Sequence, residues 1–127
     1  MFEVVKTGIT SSVSPVSGMV RKGPLVLTAQ IPKDPATGKI VEGDIIIQTR
    51  QMLENVKTGL AAAGGSLADV MRAEVFLVDA ADAPAMNAVW REFFSEPWPC
   101  RATVVVKEFL SPGMRIEMTA TAWIDEA

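Results

Sequence analysis

The chain has no histidine, no tyrosine and a single cysteine, Cys100. Without an imidazole, neither a Ser-His-Asp nor a Cys-His arrangement can be assembled within it, and no metal site can use histidine. One thiol rules out a Cys-rich zinc site and an internal disulfide, and it fits a reducing, cytoplasmic setting. No apolar run approaches the ~20 residues that cross a bilayer. The opening Met-Phe-Glu-Val-Val-Lys lacks a basic region followed by an apolar stretch, so no signal peptide is expected. The 12 basic residues are scattered and the net charge is −3. Neither nucleic acid nor a membrane is therefore an expected partner. Chemistry falls to carboxylates, Lys, Arg, Ser, Thr, Cys100, backbone groups and water, which suits reactions governed by positioning and polarisation.

What is present is a core. Of 127 residues, 49 % are apolar and 21 % charged, enough to fold one domain spanning residues 1–127. Gly23-Pro24 opens a strand over Leu25–Ala29, and the Pro-, Gly- and Asp-rich stretch from Ile31 to Gly43 reads as a loop. A helix is predicted from Asp44, its N-cap, to Ala63, with Ile46, Leu53, Val56 and Leu60 on one face. Gly64-Gly65 stops it, and Ser66–Asp69 resembles a capping box. A strand follows over Met71–Val78, with Met71, Ala73, Val75 and Leu77 directed inward. A second helix spans Asp82–Ser95 with Met86, Val89, Trp90 and Phe93 as its apolar stripe. Two strands close the chain, Ala102–Lys107 and Met114–Ile124. In the last, Met114, Ile116, Met118, Ala120, Ala122 and Ile124 alternate with Arg115, Glu117, Thr119, Thr121 and Trp123.

The order β-β-α-β-α-β-β predicts an α+β fold with a mixed sheet and two helices on one of its faces. The other face combines Arg115, Glu117 and threonines with Trp123 and Phe76, so it is expected to pack against further copies of the chain. Arg101 stands at the mouth of the apolar run Ala102–Val106, read as a buried strand, where an unpaired charge is costly. Either it pairs with a carboxylate across a subunit boundary, such as Glu108 or Glu117, or it holds an anionic ligand.

Several segments resemble the YjgF/RidA family, also described as L-PSP endoribonucleases or translation inhibitors. The resemblance rests on Gln30-Ile31-Pro32 with the loop Asp34–Gly38, Gln51-x-Leu53-x-Asn55-Val56-Lys57, and Ala62-Ala63-Gly64. It continues through Val75–Asp79, Met86-Asn87-Ala88 with Phe93-Phe94, Pro99-x-Arg101, and Arg115-Ile116-Glu117. It covers Pro15 to Trp123 in order and spacing. It implies a chorismate-mutase-like fold, assembled as a homotrimer with clefts between subunits. It also implies a deaminase that hydrolyses small 2-imino acids, such as 2-iminobutanoate and 2-iminopropanoate, to 2-oxo acids and ammonia without a cofactor.

Carried over residue by residue, the resemblance makes Arg101 the clamp for the substrate carboxylate and Glu117 the holder of the attacking water. Asn87, Thr28, Ala29, Thr103 and Val16 would line the pocket, with backbone groups near Ala29 and Thr103 orienting the imine. The family often has a tyrosine where this chain has Val16, a glycine at Ala29 and a cysteine at Thr103. Those departures keep two other readings open: a non-catalytic trimeric module binding small carboxylates, and an L-PSP-type endoribonuclease, which the acidic charge and missing histidine disfavour. Cys100 reads as a small apolar filler, Trp98 and Trp123 as packing or interface residues.

Overall fold

The computed structural model describes residues 1–125. Three strands precede the first helix: β1 (Glu3–Val4), β2 (Met19–Lys22) and β3 (Leu25–Gln30). Helix α1 (Ile45–Ala62), strand β4 (Val70–Leu77), helix α2 (Ala83–Phe93), and strands β5 (Cys100–Val105) and β6 (Ile116–Trp123) follow. The six strands form one sheet in the order β1-β2-β3-β6-β4-β5. β4 and β5 run parallel, joined by the α2 crossover, and the other neighbours pair antiparallel. This is the expected mixed sheet with two helices, extended by the two-residue β1.

Local signals set the helix ends. Asp44 accepts the Ile47 N–H at 3.0 Å, and Gly64, at φ 86°, adopts the left-handed conformation that ends α1. Ser66 and Asp69 form the anticipated capping box around a short 3-10 turn, and Pro84 sits in the first turn of α2.

The core lies between the helices and one face of the sheet. All six inward positions of the last strand, Met114 through Ile124, are buried. They meet Leu53, Val56 and Leu60 of α1 and Met86, Val89 and Trp90 of α2 within one cluster, apart from Met114. Four expectations need correction. Ile46 is 40 % exposed, because the buried face centres on Ile45, Met52 and Val56, and each step along a helix turns the side chain by about 100°. Phe93 packs against the core but stays half-buried, and its neighbour Phe94 is the one fully buried, stacking on Trp90 at 4.3 Å. Met71 is 64 % exposed: the β4–β6 register steps from Val70 to Arg72, and Val70 takes the inward place. Lastly, Ala102–Val105 is not a buried strand. β5 starts at Cys100, forms the sheet edge, and is exposed from Ala102 onward in the single chain.

Candidate functional site

Residues paired in register share a face of the sheet, which locates every candidate. Arg101 pairs with Ala73, a core residue, so it lies on the helix side at the outer edge. There α2 meets it. One Nη of Arg101 donates to Asn87 Oδ1 at 2.6 Å, and the other approaches Met86 Sδ at 3.8 Å. The guanidinium carbon lies 4.7 Å from the ring centre of Trp90. A face-on aromatic contact of that kind holds a cation flat and leaves its edge available.

Among the described residues no carboxylate pairs with Arg101; the ion pairs there are Arg50–Glu92 and Arg115–Asp82. Within the single chain neither Glu108 nor Glu117 pairs with it. Burial first, and the like charge of Arg91 second, push the Arg101 guanidinium below its ordinary value. A half-buried cation with a cationic neighbour sets up a positive potential that favours an anion. An open cleft of about 490 Å³ lies against it, lined by Asn87, Trp90, Arg91, Trp98, Pro99 and Arg101. On α2, Asn87, Trp90 and Arg91 share one side through i, i+3, i+4 spacing. Of these residues, only Arg101 and Asn87 were legible as site candidates. Trp90 reads as part of an apolar stripe, and nothing in the sequence marks Arg91 or Trp98.

Thr103 lies two residues beyond Arg101 on the same face of β5, exposed. The other candidates lie elsewhere. Thr28 is buried on the helix side of β3, where its hydroxyl donates to Gly18 O at 2.7 Å and accepts from Gln30 Nε2 at 2.9 Å. That hydroxyl is spent within its own fold, so Thr28 does not line a pocket with its side chain. Ala29 and Val16 are exposed, and β3 is three strand spacings, ~14 Å, from β5. Glu117 pairs with Phe76, which pairs with Val104, placing it on the face away from the helices. Within one chain the sheet therefore separates Glu117 from Arg101. Cys100 is exposed on that same far face, in register with Arg72, and is not a filler.

The family model described as endoribonuclease L-PSP matches residues 9–124. The chain belongs to the YjgF/RidA family. A RutC family protein of Pyrococcus horikoshii is 44 % identical over 125 residues, covering 97 % of this chain and 98 % of the relative. The 2-iminobutanoate/2-iminopropanoate deaminase of Salmonella typhimurium is 38 % identical over 116 residues, covering 88 % and 89 %. The crystal structure of E. coli TdcF with bound serine superposes with a TM-score of 0.85 at 33 % identity, covering 95 % of this chain and 97 % of that one. The fold expected of a YjgF/RidA protein is thus the fold observed, and no helix among the described residues is long and apolar enough to cross a membrane.

Glu117 is half-buried, and desolvation raises its carboxyl above the ordinary 4.5. A carboxyl raised on folding stabilises the fold fully below the unfolded value and loses that contribution as pH climbs through the folded value. Glu117→Gln should therefore melt at a higher temperature than wild type at pH 8, with the difference gone below pH 4.5, where both side chains are neutral. Thermal denaturation across pH 3.5–8 checks it. A variant that melts lower than wild type throughout would mean that the carboxylate has a partner on the far face.

Proposed function

We propose that this protein hydrolyses small 2-imino acids to 2-oxo acids and ammonia, in clefts formed between copies of the chain in a homotrimer. The observation that carries the reading is Arg101: stacked on Trp90, oriented by Asn87, without a carboxylate partner among the described residues and facing a cleft. A guanidinium has five N–H donors, and two of them are occupied by Asn87 and Met86. The remaining three suffice for a two-pronged contact with a carboxylate. The Salmonella relative named as an imine deaminase and the serine-bound TdcF, whose ligand carries a carboxylate next to a nitrogen-bearing carbon, support that class of ligand.

The chemistry asks little of the protein. Water adds to the C=N carbon, and the resulting carbinolamine expels ammonia to leave the 2-oxo acid. Such imines hydrolyse unaided, so fixing the carboxylate and a water beside the imine carbon supplies the acceleration. Glu117, when ionised, accepts a hydrogen bond from that water and takes its proton; desolvation brings its affinity for a proton closer to the working pH. Since Arg101 and Glu117 lie on opposite faces of the sheet, and Ala29 lies three strands away from β5, one reaction can use them together only across a boundary between copies. The far face suits such a boundary, with Leu25, Leu27, Val104 and Trp123 exposed around polar groups.

The test is direct. 2-Iminopropanoate, released in situ from alanine by an amino-acid oxidase, should disappear at a rate proportional to added protein. Light scattering should give three times the 13.6 kDa chain mass. If the decay stays at the buffer rate while 2-oxobutanoate binds, the protein is a carboxylate-binding module and not an enzyme.

A further inference from the structure

The cleft contains a second guanidinium that the reading above does not use. Arg91 lines it together with Arg101, and among the described residues Arg91 has no carboxylate partner either. Most basic side chains are likewise unpaired among the described residues; what sets the exposed Arg91 apart is its place beside Arg101 in the cleft. We propose that Arg91 binds a second carboxylate, so that the preferred ligands of this cleft are dicarboxylic 2-imino and 2-oxo acids of four or five carbons. The inference rests on the proposed function and narrows its substrate class.

Helix α2 sets the spacing. Asn87, which orients Arg101, and Arg91 are one turn apart on the same side, ~6 Å of rise. A ligand whose first carboxylate lies on Arg101 therefore projects its side chain along α2 toward Arg91. Trp90 is buried beneath Arg101, so the side walls of the cleft are Trp98 and Pro99. Those walls are apolar and suit a short methylene chain, while the cationic ends suit an anion at each terminus. A monocarboxylate would leave the Arg91 end uncompensated. It would also leave Arg91 to repel Arg101, a repulsion already felt in the free protein. Arg91 is also the basic residue of the last turn of α2, where a cation favours the helix dipole. That role is indifferent to the ligand, so a selectivity measurement separates the two.

Titration calorimetry with 2-oxobutanoate and 2-oxoglutarate, on the intact protein, decides the matter. The wild type should bind 2-oxoglutarate about tenfold more tightly, the usual yield of one added charged hydrogen bond at a partly open site. In Arg91→Ala the ratio of the two dissociation constants should fall to about one, and Arg91→Lys should retain most of the preference, as a charge-based contact requires. Arg91→Glu should invert it. Equal affinities in the wild type, or a preference that survives Arg91→Ala, overturn the inference. Binding of 2-oxobutanoate that Arg101→Gln abolishes, with no gain for 2-oxoglutarate, overturns the inference alone and leaves the proposed function standing. Loss of both ligands from the wild type removes the two together.

Discussion

Arg101→Gln is expected to lower kcat/KM for 2-iminopropanoate by about 10²-fold, the cost of losing a two-pronged charged contact and the orientation it imposes. Stability should fall only slightly, and the reason lies in the site. The wild-type guanidinium is partly desolvated, repelled by Arg91 and, among the described residues, without a carboxylate partner, so its charge gains no ion pair within the single chain. Glutamine is two bonds shorter and gives up the Asn87 contact and part of the cover over Trp90, a loss of about 1 kcal/mol at a partly open site. Arg101→Lys should recover charge without the planar fork, and so restore ligand binding more than turnover. Steady-state kinetics alongside thermal melting checks the pair of expectations. A melting temperature that collapses with activity would recast Arg101 as a structural residue, and full activity in the glutamine variant would end its role as the clamp.

How far the sequence foretells this site depends on what each residue answers to. β6 was legible to the last inward residue because it is paired on both sides and its inner face is covered by its own helices. Met71 was not, since a register step belongs to the pairing of two strands and leaves no mark on either one. The run after Arg101 is apolar for a reason its own chain does not supply: β5 is an edge strand, and hydrophobicity says that a strand wants cover without saying which molecule covers it. The same limit applies to the site. Arg101 and Asn87 were named through family resemblance, and the structure brings them to 2.6 Å of each other. Arg91 and Trp98 were invisible, because membership in the cleft arises only where the end of α2 meets the mouth of β5. Thr28 shows the opposite error. Its position was transferable, but its hydroxyl is committed to Gly18 and Gln30.

Replacing Gln48 by leucine should destabilise the fold by about 3 kcal/mol, the largest effect expected of any polar position. Gln48 is 1 % exposed, and its side-chain hydrogen bonds all go to loops or to residues distant in sequence. Its amide nitrogen donates to Val41 O at 3.1 Å and Gly113 O at 2.7 Å, and its oxygen accepts the Arg115 N–H at 2.7 Å. One side chain on α1 thus satisfies the loop before that helix, the turn before β6 and the residue that leads into β6. Leucine fills the space and leaves three backbone groups without partners, each worth roughly 1–3 kcal/mol where water cannot reach, less where a loop carbonyl recovers it. Glutamate is a sharper probe. It keeps the acceptor for Arg115 but sets a carboxylate against two carbonyl oxygens, so Gln48→Glu should be weakest at neutral pH and regain stability on acidification, when the protonated carboxyl donates again. Urea unfolding at fixed protein concentration, at pH 5 and pH 8, reads both variants; a leucine variant with the wild-type midpoint would show that water replaces the amide. The damage should also reach the cleft. The Arg115 side chain holds Asp82, at the head of α2, through contacts of 2.8 and 3.0 Å, and α2 carries Asn87, Trp90 and Arg91. Loosening the Arg115 backbone loosens that tether, so ligand affinity should fall in Gln48→Leu even under conditions where the protein remains folded.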